Sequence, residues 1–247
     1  NLSNVNTSGY KSEKTEFKSL LYQTLQTKTT SANGEEKPIS AQVGLGTRVA
    51  SNTSIFTQGS LIANESKSAF AIEGNGLFSV RADGETYYTR NGNFSWVKDG
   101  NVVSLCTQEG YHVLDSNGNV ISLPANVSSE SVEFQSNSGE IGYKDGAGNY
   151  HALNRRIGIY QFRNPAGLEK TPNSLLSVTE ASGDAMSEYT NNNLTRSKIV
   201  QGYLEGSNVQ LADEMVNLIV AQRAYEMNSK VITTSDDMLG IANQLKR

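Results

Sequence analysis

The chain has 247 residues, a formal net charge of −4 and 36% hydrophobic residues. This length allows one large or two modest domains with a proper core, so neither disulfides nor metals are needed for stability. No cluster of lysine and arginine stands out from the acidic background, which disfavours a nucleic acid or an anionic membrane as partner.

The first 25 residues begin with a stretch rich in Asn, Ser and Gly, which is typical of a turn or helix end with Gly9 as a left-handed cap. Apolar residues at helix-like spacing then predict a short helix or an extended arm: Phe17, Leu20, Leu21 and Leu25. From Gln26 to about Ser40 the chain is polar, which indicates either a disordered linker or an ordered contact loop. Because the chain starts at an asparagine and not at a methionine, we expect further residues before it.

Strand patterns dominate from Gln42 to Leu204, where short runs rich in β-branched and aromatic residues alternate with glycine turns. The pairs that favour tight hairpins are Asp83-Gly84, Asp99-Gly100, Asn117-Gly118 and Asp145-Gly146. A second strand cluster follows at Arg156–Phe162, with a further turn at Asn164–Gly167. The pattern predicts an antiparallel, twisted and partly barrel-like β domain.

The last 41 residues, Ser207–Arg247, predict one uninterrupted helix about 60 Å long. Ser207 with Gln210 three residues later is typical of a capping box. The apolar residues form a seam with coiled-coil-like, seven-residue spacing. The predicted assembly interface consists of Leu211, Met215, Leu218, Ala224, Tyr225, Val231, Ile232, Met238, Leu239 and Leu245. Few charges and many amides and hydroxyls favour a helix packed among other helices; the alternative is an amphipathic helix lying on its own domain. The fold class is therefore mainly β with a long terminal helix (α+β).

Candidate chemistry is sparse. His112 and His151 both stand in strand-like runs without a Cys, His or carboxylate at ligand spacing, which disfavours a metal site. Cys106, the single cysteine, excludes an intrachain disulfide, and we interpret it as a small apolar strand residue. The Gly74-Asn75-Gly76 run lacks the third glycine and the helix of a phosphate loop, so we interpret it as a turn. We predict neither a catalytic site nor a cofactor.

Three segments, at the start, middle and end of the chain, carry motifs in a set order. The first is Asn1–Lys11, the second joins Phe70–Phe78 to Tyr88–Phe94, and the third runs from Gly202 to Glu226. Together they resemble the axial rod and hook proteins of the bacterial flagellum. Three residues differ from the motifs of that family: Tyr10, where phenylalanine is more usual, and Glu73 and Leu77. The matching positions are Asn4, Asn6, Thr7, Gly9, Tyr10, Gly74, Gly76, Phe78, Arg90, Gly92, Phe94, Asn208 and Arg223.

Within that family, the polar segment after Leu25 makes the chain most similar to distal rod members. The resemblance implies a non-enzymatic subunit that polymerises helically into a rigid hollow shaft, transmits torque to the hook and passes exported subunits. It further implies export through the flagellar type III apparatus and a place in the basal body, outside the cytoplasmic membrane. The implied partners are copies of the chain, proximal rod and hook proteins, and surrounding bushing rings, without nucleic acid or membrane insertion.

The resemblance also implies a division into four parts. Residues 1–25 form an arm joined to the terminal helical domain, which includes a helix expected before Asn1. Residues 26–60 form a rod-type insertion, 61–203 an outer β domain, and 204–247 the helix of the tube-forming inner domain. The hypothesis for Gln26–Gln42 is that it bridges neighbouring subunits and stiffens the rod; a polymer that stayed straight and rigid after its deletion would contradict this.

Three alternatives stay open at this stage. A proximal rod protein or a short hook protein of the same family would differ in the straightness of its polymer. A surface binding module or adhesin would need an aromatic groove, although Trp96, Tyr87, Tyr88 and Tyr111 are better interpreted as core or hairpin residues. An enzyme is the weakest alternative, because no catalytic constellation is visible.

Overall fold

The computed structural model describes residues 1–26, 41–100, 102–124, 127, 131–135, 139–145 and 149–245. Three sequence predictions lie outside these residues, wholly or in large part. They concern the polar segment Gln26–Gln42, the hairpin turn at Asp145-Gly146, and the helix end at Lys246 and Arg247.

The described residues form 21 β-strands and one α-helix, with 3-10 turns at Leu2–Asn4 and Pro165–Gly167. The strands are β1 Glu13–Ser19, β2 Tyr22–Gln26, β3 Ala41–Gly44, β4 Thr47–Ser54, β5 Leu61–Ala63, β6 Phe70–Glu73, β7 Leu77–Ala82, β8 Glu85–Thr89, β9 Phe94–Asp99, β10 Val102–Thr107, β11 His112–Val113, β12 Ser122–Pro124, β13 Val132–Gln135, β14 Glu140–Lys144, β15 Tyr150–Arg156, β16 Ile159–Gln161, β17 Glu169–Thr171, β18 Leu175–Ser177, β19 Met186–Ser187, β20 Lys198–Gln201 and β21 Tyr203–Glu205. The helix is α1, Leu211–Leu245.

The chain divides into two compact units, Ser12–Phe56 and the rest, which joins Asn1–Lys11 to Thr57–Arg247. The smaller unit is a two-stranded antiparallel ribbon in which β1 pairs with β4 and β2 pairs with β3. The helix-like spacing of Phe17, Leu20 and Leu21 therefore belongs to an extended arm, and the helical alternative is wrong. The large apolar side chains that the structure describes in this ribbon are exposed, so no buried face imposes a period of two on the sequence.

The larger unit is built on an antiparallel sheet of ten strands, in which β7 pairs with β8, β11 and β16, while β10 pairs with β9, β11 and β12. A three-stranded sheet of β13, β14 and β15 and two strand pairs, β6 with β20 and β5 with β21, complete it. The mainly antiparallel β fold with one C-terminal helix is confirmed. Among the described strands the pairing does not return on itself, so the barrel-like closure is not confirmed.

The glycine turns lie where the sequence predicts them. Asp83 and Gly84 both have positive φ, 51° and 86°, between β7 and β8. Gly100 follows β9 with φ 59°, and Gly118, with φ 80°, turns the chain between the bridged residues Leu114 and Val120. Asn164–Gly167 is a 3-10 turn. These local signals work because positive φ is costly for most residues other than glycine, asparagine and aspartate.

The core of the larger unit lies between its sheets. Its largest fully buried apolar side chains are Phe70, Ile72, Leu77, Phe78, Leu105, Leu114, Ile121, Leu123, Ile141, Ile157 and Ile159. Tyr88 is buried, while Tyr87, Trp96 and Tyr111 are half-buried and pack against the core. The interpretation of these four aromatics as core or hairpin residues is confirmed. Burial raises the pKa of Tyr88 to about 12, as expected for a phenol in an apolar cluster.

Candidate assembly helix and its root

Helix α1 presents an uncovered apolar surface. It has 35 residues, and none of those described is buried. The exposed fraction of its large apolar side chains rises from 48% at Leu211 to 84% at Leu245. All ten residues of the predicted assembly interface lie on this helix and are exposed. A soluble monomer rarely exposes so large a contiguous apolar area, so the helix is the strongest candidate for an association surface.

Nine apolar residues of α1 lie in two rows, and six further exposed apolar side chains lie outside them: Met215, Val216, Ile219, Val220, Met227 and Ile241. The first row is Leu211, Leu218, Tyr225, Ile232 and Leu239. The second row is Ala224, Val231, Met238 and Leu245. At 3.6 residues per turn the rows lie about 100° apart around the helix. Small residues lie between them: Ala221, Asn228, Ser235 and Ala242.

The start of α1 differs from the prediction. The helix begins at Leu211, and the Glu214 backbone N–H donates to the Gln210 carbonyl at 3.1 Å, so Gln210 and not Ser207 occupies the N-cap position. Ser207 Oγ instead accepts the Val209 N–H at 3.2 Å, in a stretch that is not helical. The capping-box interpretation is therefore wrong. In this stretch Gly206 and Asn208 bond to the loop at Thr57–Ser60.

We call Glu205–Gln210 the helix root, because it connects strand β21 to α1. Its first residue, Glu205, is 1% exposed, and its carboxylate forms ion pairs with two cations. Lys11 Nζ lies 2.7 Å from Glu205 Oε1, and Arg90 Nε bonds to Glu205 Oε2. The Gly59 N–H also donates to Glu205 Oε1, at 2.8 Å. This buried cluster holds two cations and one carboxylate.

All three nitrogen atoms of the Arg90 guanidinium donate hydrogen bonds. Its Nη2 donates to the carbonyl oxygens of Ile72 at 3.0 Å and Gly74 at 2.6 Å, and its Nη1 donates to Gly76. The Gly74-Asn75-Gly76 run is thus a turn that closes around a guanidinium, which confirms its interpretation as a turn. Because the planar guanidinium has five donors, it can satisfy three carbonyls and a carboxylate together.

The signature residues fall into three groups: those around Arg90, those of the first segment, and Asn208 and Arg223 near and on α1. Gly74, Gly76, Phe78, Gly92 and Phe94 surround Arg90 or pack in the core beside it. Those of the first segment lie in Asn1–Lys11, which we call the strap. Within it, Thr7 donates to Asn4 Oδ1 at 3.1 Å, Asn6 is exposed, and Gly9 has φ 71°.

The strap runs along the helix root. The Gly9 N–H donates to the Glu205 carbonyl at 2.8 Å, and the Asn208 N–H donates to the Tyr10 carbonyl at 3.4 Å. Asn1 Nδ2 donates to Glu214 Oε1, at 2.9 Å, in the first turn of α1. Arg223, the last signature residue, lies farther along the exposed helix and pairs with Glu226 at 3.0 Å.

Sequence reasoning singled out Arg90 and its glycines but missed Lys11 and Glu205. Burial lowers the pKa of Lys11, and its bond to Glu205 opposes that change only in part. The charged form of Lys11 is therefore held against a net cost of burial. A carboxylate in the short strand β21, just before a helix, was a visible signal, but nothing local identifies a partner 194 residues away.

Gly92 provides a test of how tightly this region is packed. A methyl group on Gly92 would overlap the carbonyl oxygen of Phe70, whose own N–H bonds to Gly92. We expect Gly92→Ala to lower the free energy of unfolding by about 3 kcal/mol or more, because backbone must move. Gly84→Ala is the control: its added methyl meets open space at φ +86°, so only about 1–2 kcal/mol of left-handed strain applies. Urea unfolding of both variants measures the difference, and equal losses would contradict the packing argument.

Both histidines have a close polar neighbour. Cys106 is buried in β10, with its Sγ 3.3 Å from Nδ1 of His112 in β11. His151 in β15 lies with its Nε2 3.1 Å from Asp145 Oδ2, and its ring stacks on Tyr143. In the part of the chain that the structure describes, no group of three or more His, Cys, Asp or Glu could hold a metal. None of the described helices is both long and apolar enough to span a membrane.

A β domain that carries a long, uncovered apolar helix defines a protein with a large association surface. Residues 71–143 match the flagellar hook protein FlgE/F/G D1 domain, and residues 200–245 match the C-terminal region of the flagellar basal body rod FlgEFG proteins. The chain belongs to this flagellar rod and hook family.

Individual relatives match over the whole chain. The flagellar basal-body rod protein FlgG of Borreliella burgdorferi is 41% identical over 249 residues, covering 100% of this chain and 91% of that protein. FlgG of Bacillus subtilis is 34% identical, again with 100% and 91% covered. The flagellar hook-basal body complex protein FlhP of Bacillus subtilis is 31% identical, with the same coverage.

Proposed function

We propose that this chain is the structural subunit of the distal flagellar rod, which polymerises helically into a rigid hollow shaft in the basal body. Membership of the rod family makes it a structural subunit of the basal-body rod. The single observation that supports polymerisation is the exposure of α1 along its whole described length. A structural subunit needs association surfaces and no catalytic group, which fits a non-enzymatic role.

Association would bury the apolar rows of α1. Each large aliphatic or aromatic side chain that leaves water contributes about 1.5–3 kcal/mol before the cost of association. The five residues of the first row together contribute about 8–15 kcal/mol, which is comparable to the roughly 4–15 kcal/mol that lost translational and rotational freedom costs. From Gln222 onwards, the side of α1 opposite the rows is polar; we call it the polar arc, and it includes Gln222, Thr233 and Gln244. This arc would stay in contact with water and is a candidate lining for an export channel.

Two rows about 100° apart suit two neighbouring helices, since a single coiled-coil partner covers only one narrow seam. The small residues between the rows would let both neighbours approach closely. We therefore propose coiled-coil-like packing of α1 between helices of two other subunits. Contacts that differ on the two sides are head-to-tail, and such contacts produce an open helical filament when the rotation does not close.

The proposed partners are copies of this chain, proximal rod and hook proteins at the two ends of the shaft, surrounding bushing rings, and the flagellar export apparatus. The proposed division into an arm, an insertion, a β domain and an inner helix follows the resemblance. The chain is also similar to FlhP, whose name refers to the hook-basal body complex. This similarity supports a second candidate function, that of a proximal rod or short hook protein. The insertion Gln26–Gln42 favours the distal rod.

Electron microscopy of the polymerised full-length protein tests the proposal. We expect straight hollow tubes in which α1 lies in the inner wall and touches two other subunits. Curved tubes would support the hook alternative. Monomers at every concentration, or a reconstruction in which α1 faces solvent, would contradict the proposed function. The matched control is Lys144→Met, which removes an exposed ion pair with Glu133 on the β domain and should polymerise as the natural protein does.

A further inference from the structure

The buried cluster at Glu205 is not balanced in charge. Lys11 and Arg90 are both cations and both buried, and among the residues that the structure describes Glu205 is the only carboxylate that bonds to either. Carbonyl oxygens satisfy the remaining donors: Thr57 accepts from Lys11 at 2.7 Å, and Ile72, Gly74 and Gly76 accept from Arg90. Without Lys11, Arg90 and Glu205 would form a neutral pair, and Glu205 would keep its bond from Gly59.

The two cations have different attachments. Arg90 belongs to the β domain, where it closes the turn between β6 and β7. Lys11 belongs to the strap, and the other strap contacts along this line go to the root and the first turn of α1. They involve Glu205, Asn208 and Glu214, which lie at three successive points on the way into the helix. The strap thus contacts the helix root at two points and the first turn of α1 at a third.

We propose that Lys11 is a positioning residue, whose bond to Glu205 holds the strap on the helix root and thereby sets the direction in which α1 leaves the β domain. The root is not helical from Glu205 to Asn208, so it has no helical hydrogen bonds of its own to fix an angle. The loop at Thr57–Ser60 restrains the root from one side through Gly206 and Asn208, and the strap adds a second restraint. Buried ionic groups are often retained for such conformational specificity, although they add little stability.

Pulsed electron paramagnetic resonance distances test this inference on the full chain. One spin label is placed at Thr86→Cys, exposed on β8, and the other at Ser229→Cys, exposed on α1, with the natural cysteine removed by Cys106→Ser. Measurements at concentrations too low for polymer keep neighbouring subunits from holding the helix. The outcome therefore does not depend on whether the proposed tube forms.

We expect one narrow distance distribution in the otherwise natural protein and a distribution at least about twice as wide after Lys11→Met. The thermal midpoint should change by less than about 2 °C, because the β domain keeps its neutral Arg90–Glu205 pair. The control Lys144→Met, which removes an exposed lysine from another ion pair, should leave both readouts unchanged.

Two results would overturn the inference. An unchanged distribution after Lys11→Met would show that the strap does not orient α1. A midpoint that falls as far as it does in Glu205→Gln would show that Lys11 supports the β domain itself and has no separate positioning role.

Discussion

Replacing Glu205 by glutamine should lower the free energy of unfolding by about 3–5 kcal/mol. Glutamine has nearly the same shape, so packing around the side chain is kept while the charge is lost. The substitution leaves Lys11 and Arg90 close together, buried and without a counter-ion. Removing one member of a buried charge cluster is far more costly than removing an exposed pair, because the remaining charges cannot return to water. Urea unfolding, with the slope checked for constancy, measures the loss.

The same variant has a predicted pH dependence. The pKa of Lys11 is already lowered by burial and should fall further once the carboxylate that raises it is gone. The unfolded chain then binds more protons than the folded one between that lowered pKa and about 10.5, so stability rises with pH in this window. The deficit of Glu205→Gln relative to the natural protein should therefore shrink as pH increases toward 10.5.

Glu133→Gln is the matched control for this prediction. Glu133 forms an ion pair with Lys144 at 2.7 Å, but both side chains are nearly half exposed. We expect a loss of less than about 1 kcal/mol, because water and salt screen such a pair. If Glu205→Gln were no more harmful than Glu133→Gln, the cluster would not be the structural centre that its burial indicates.

Much of the fold could be predicted from sequence because its signals are local. The turns at Asp83-Gly84 and Asn117-Gly118 require positive φ, and the aromatic runs between such turns require a pleated, half-buried surface. The long helix follows from a continuous apolar period. Its start at Leu211 could not be predicted, since the capping box at Ser207 competes with bonds from Gly206 and Asn208 to a loop about 150 residues earlier. A local capping motif cannot indicate hydrogen bonds to so distant a part of the chain.

Of the candidate site, too, one part could be predicted from sequence and another part could not. The ten apolar residues on α1 and their rows could be recognised from spacing, whereas their exposure along the described helix needed the structure. The Glu205 cluster joins residues 11, 90 and 205, and no period or motif links them. Single charged residues in strands are ordinarily solvated, so only the tertiary structure separates a buried carboxylate from the others.

Aspartate at Leu218 or Ile232, in the first row of α1, should abolish polymerisation while leaving the β domain folded. An unpaired carboxylate buried between helices costs about 3 kcal/mol or more, which corresponds to at least about a 100-fold rise in the concentration needed for polymer. Neither side chain is buried in the subunit, so the urea midpoint of the β domain should not change. Sedimentation and electron microscopy measure polymer, and circular dichroism checks that the helix persists.

Thr233→Asp is the control for the effect of aspartate on the helix itself, because Thr233 neighbours Ile232 in sequence but lies on the polar arc. It should polymerise nearly as the natural protein does. Aspartate at Val231 or Met238, in the second row, tests whether α1 contacts one neighbouring helix in the polymer or two. If α1 packs between two helices, the second row is buried in the polymer as the first row is, and aspartate in either row should cause the same loss of polymer. A polymer that tolerates Val231→Asp and Met238→Asp but not Ile232→Asp would leave the second row in solvent. The helix would then have a single partner, and the two-neighbour packing proposed for the tube would be wrong.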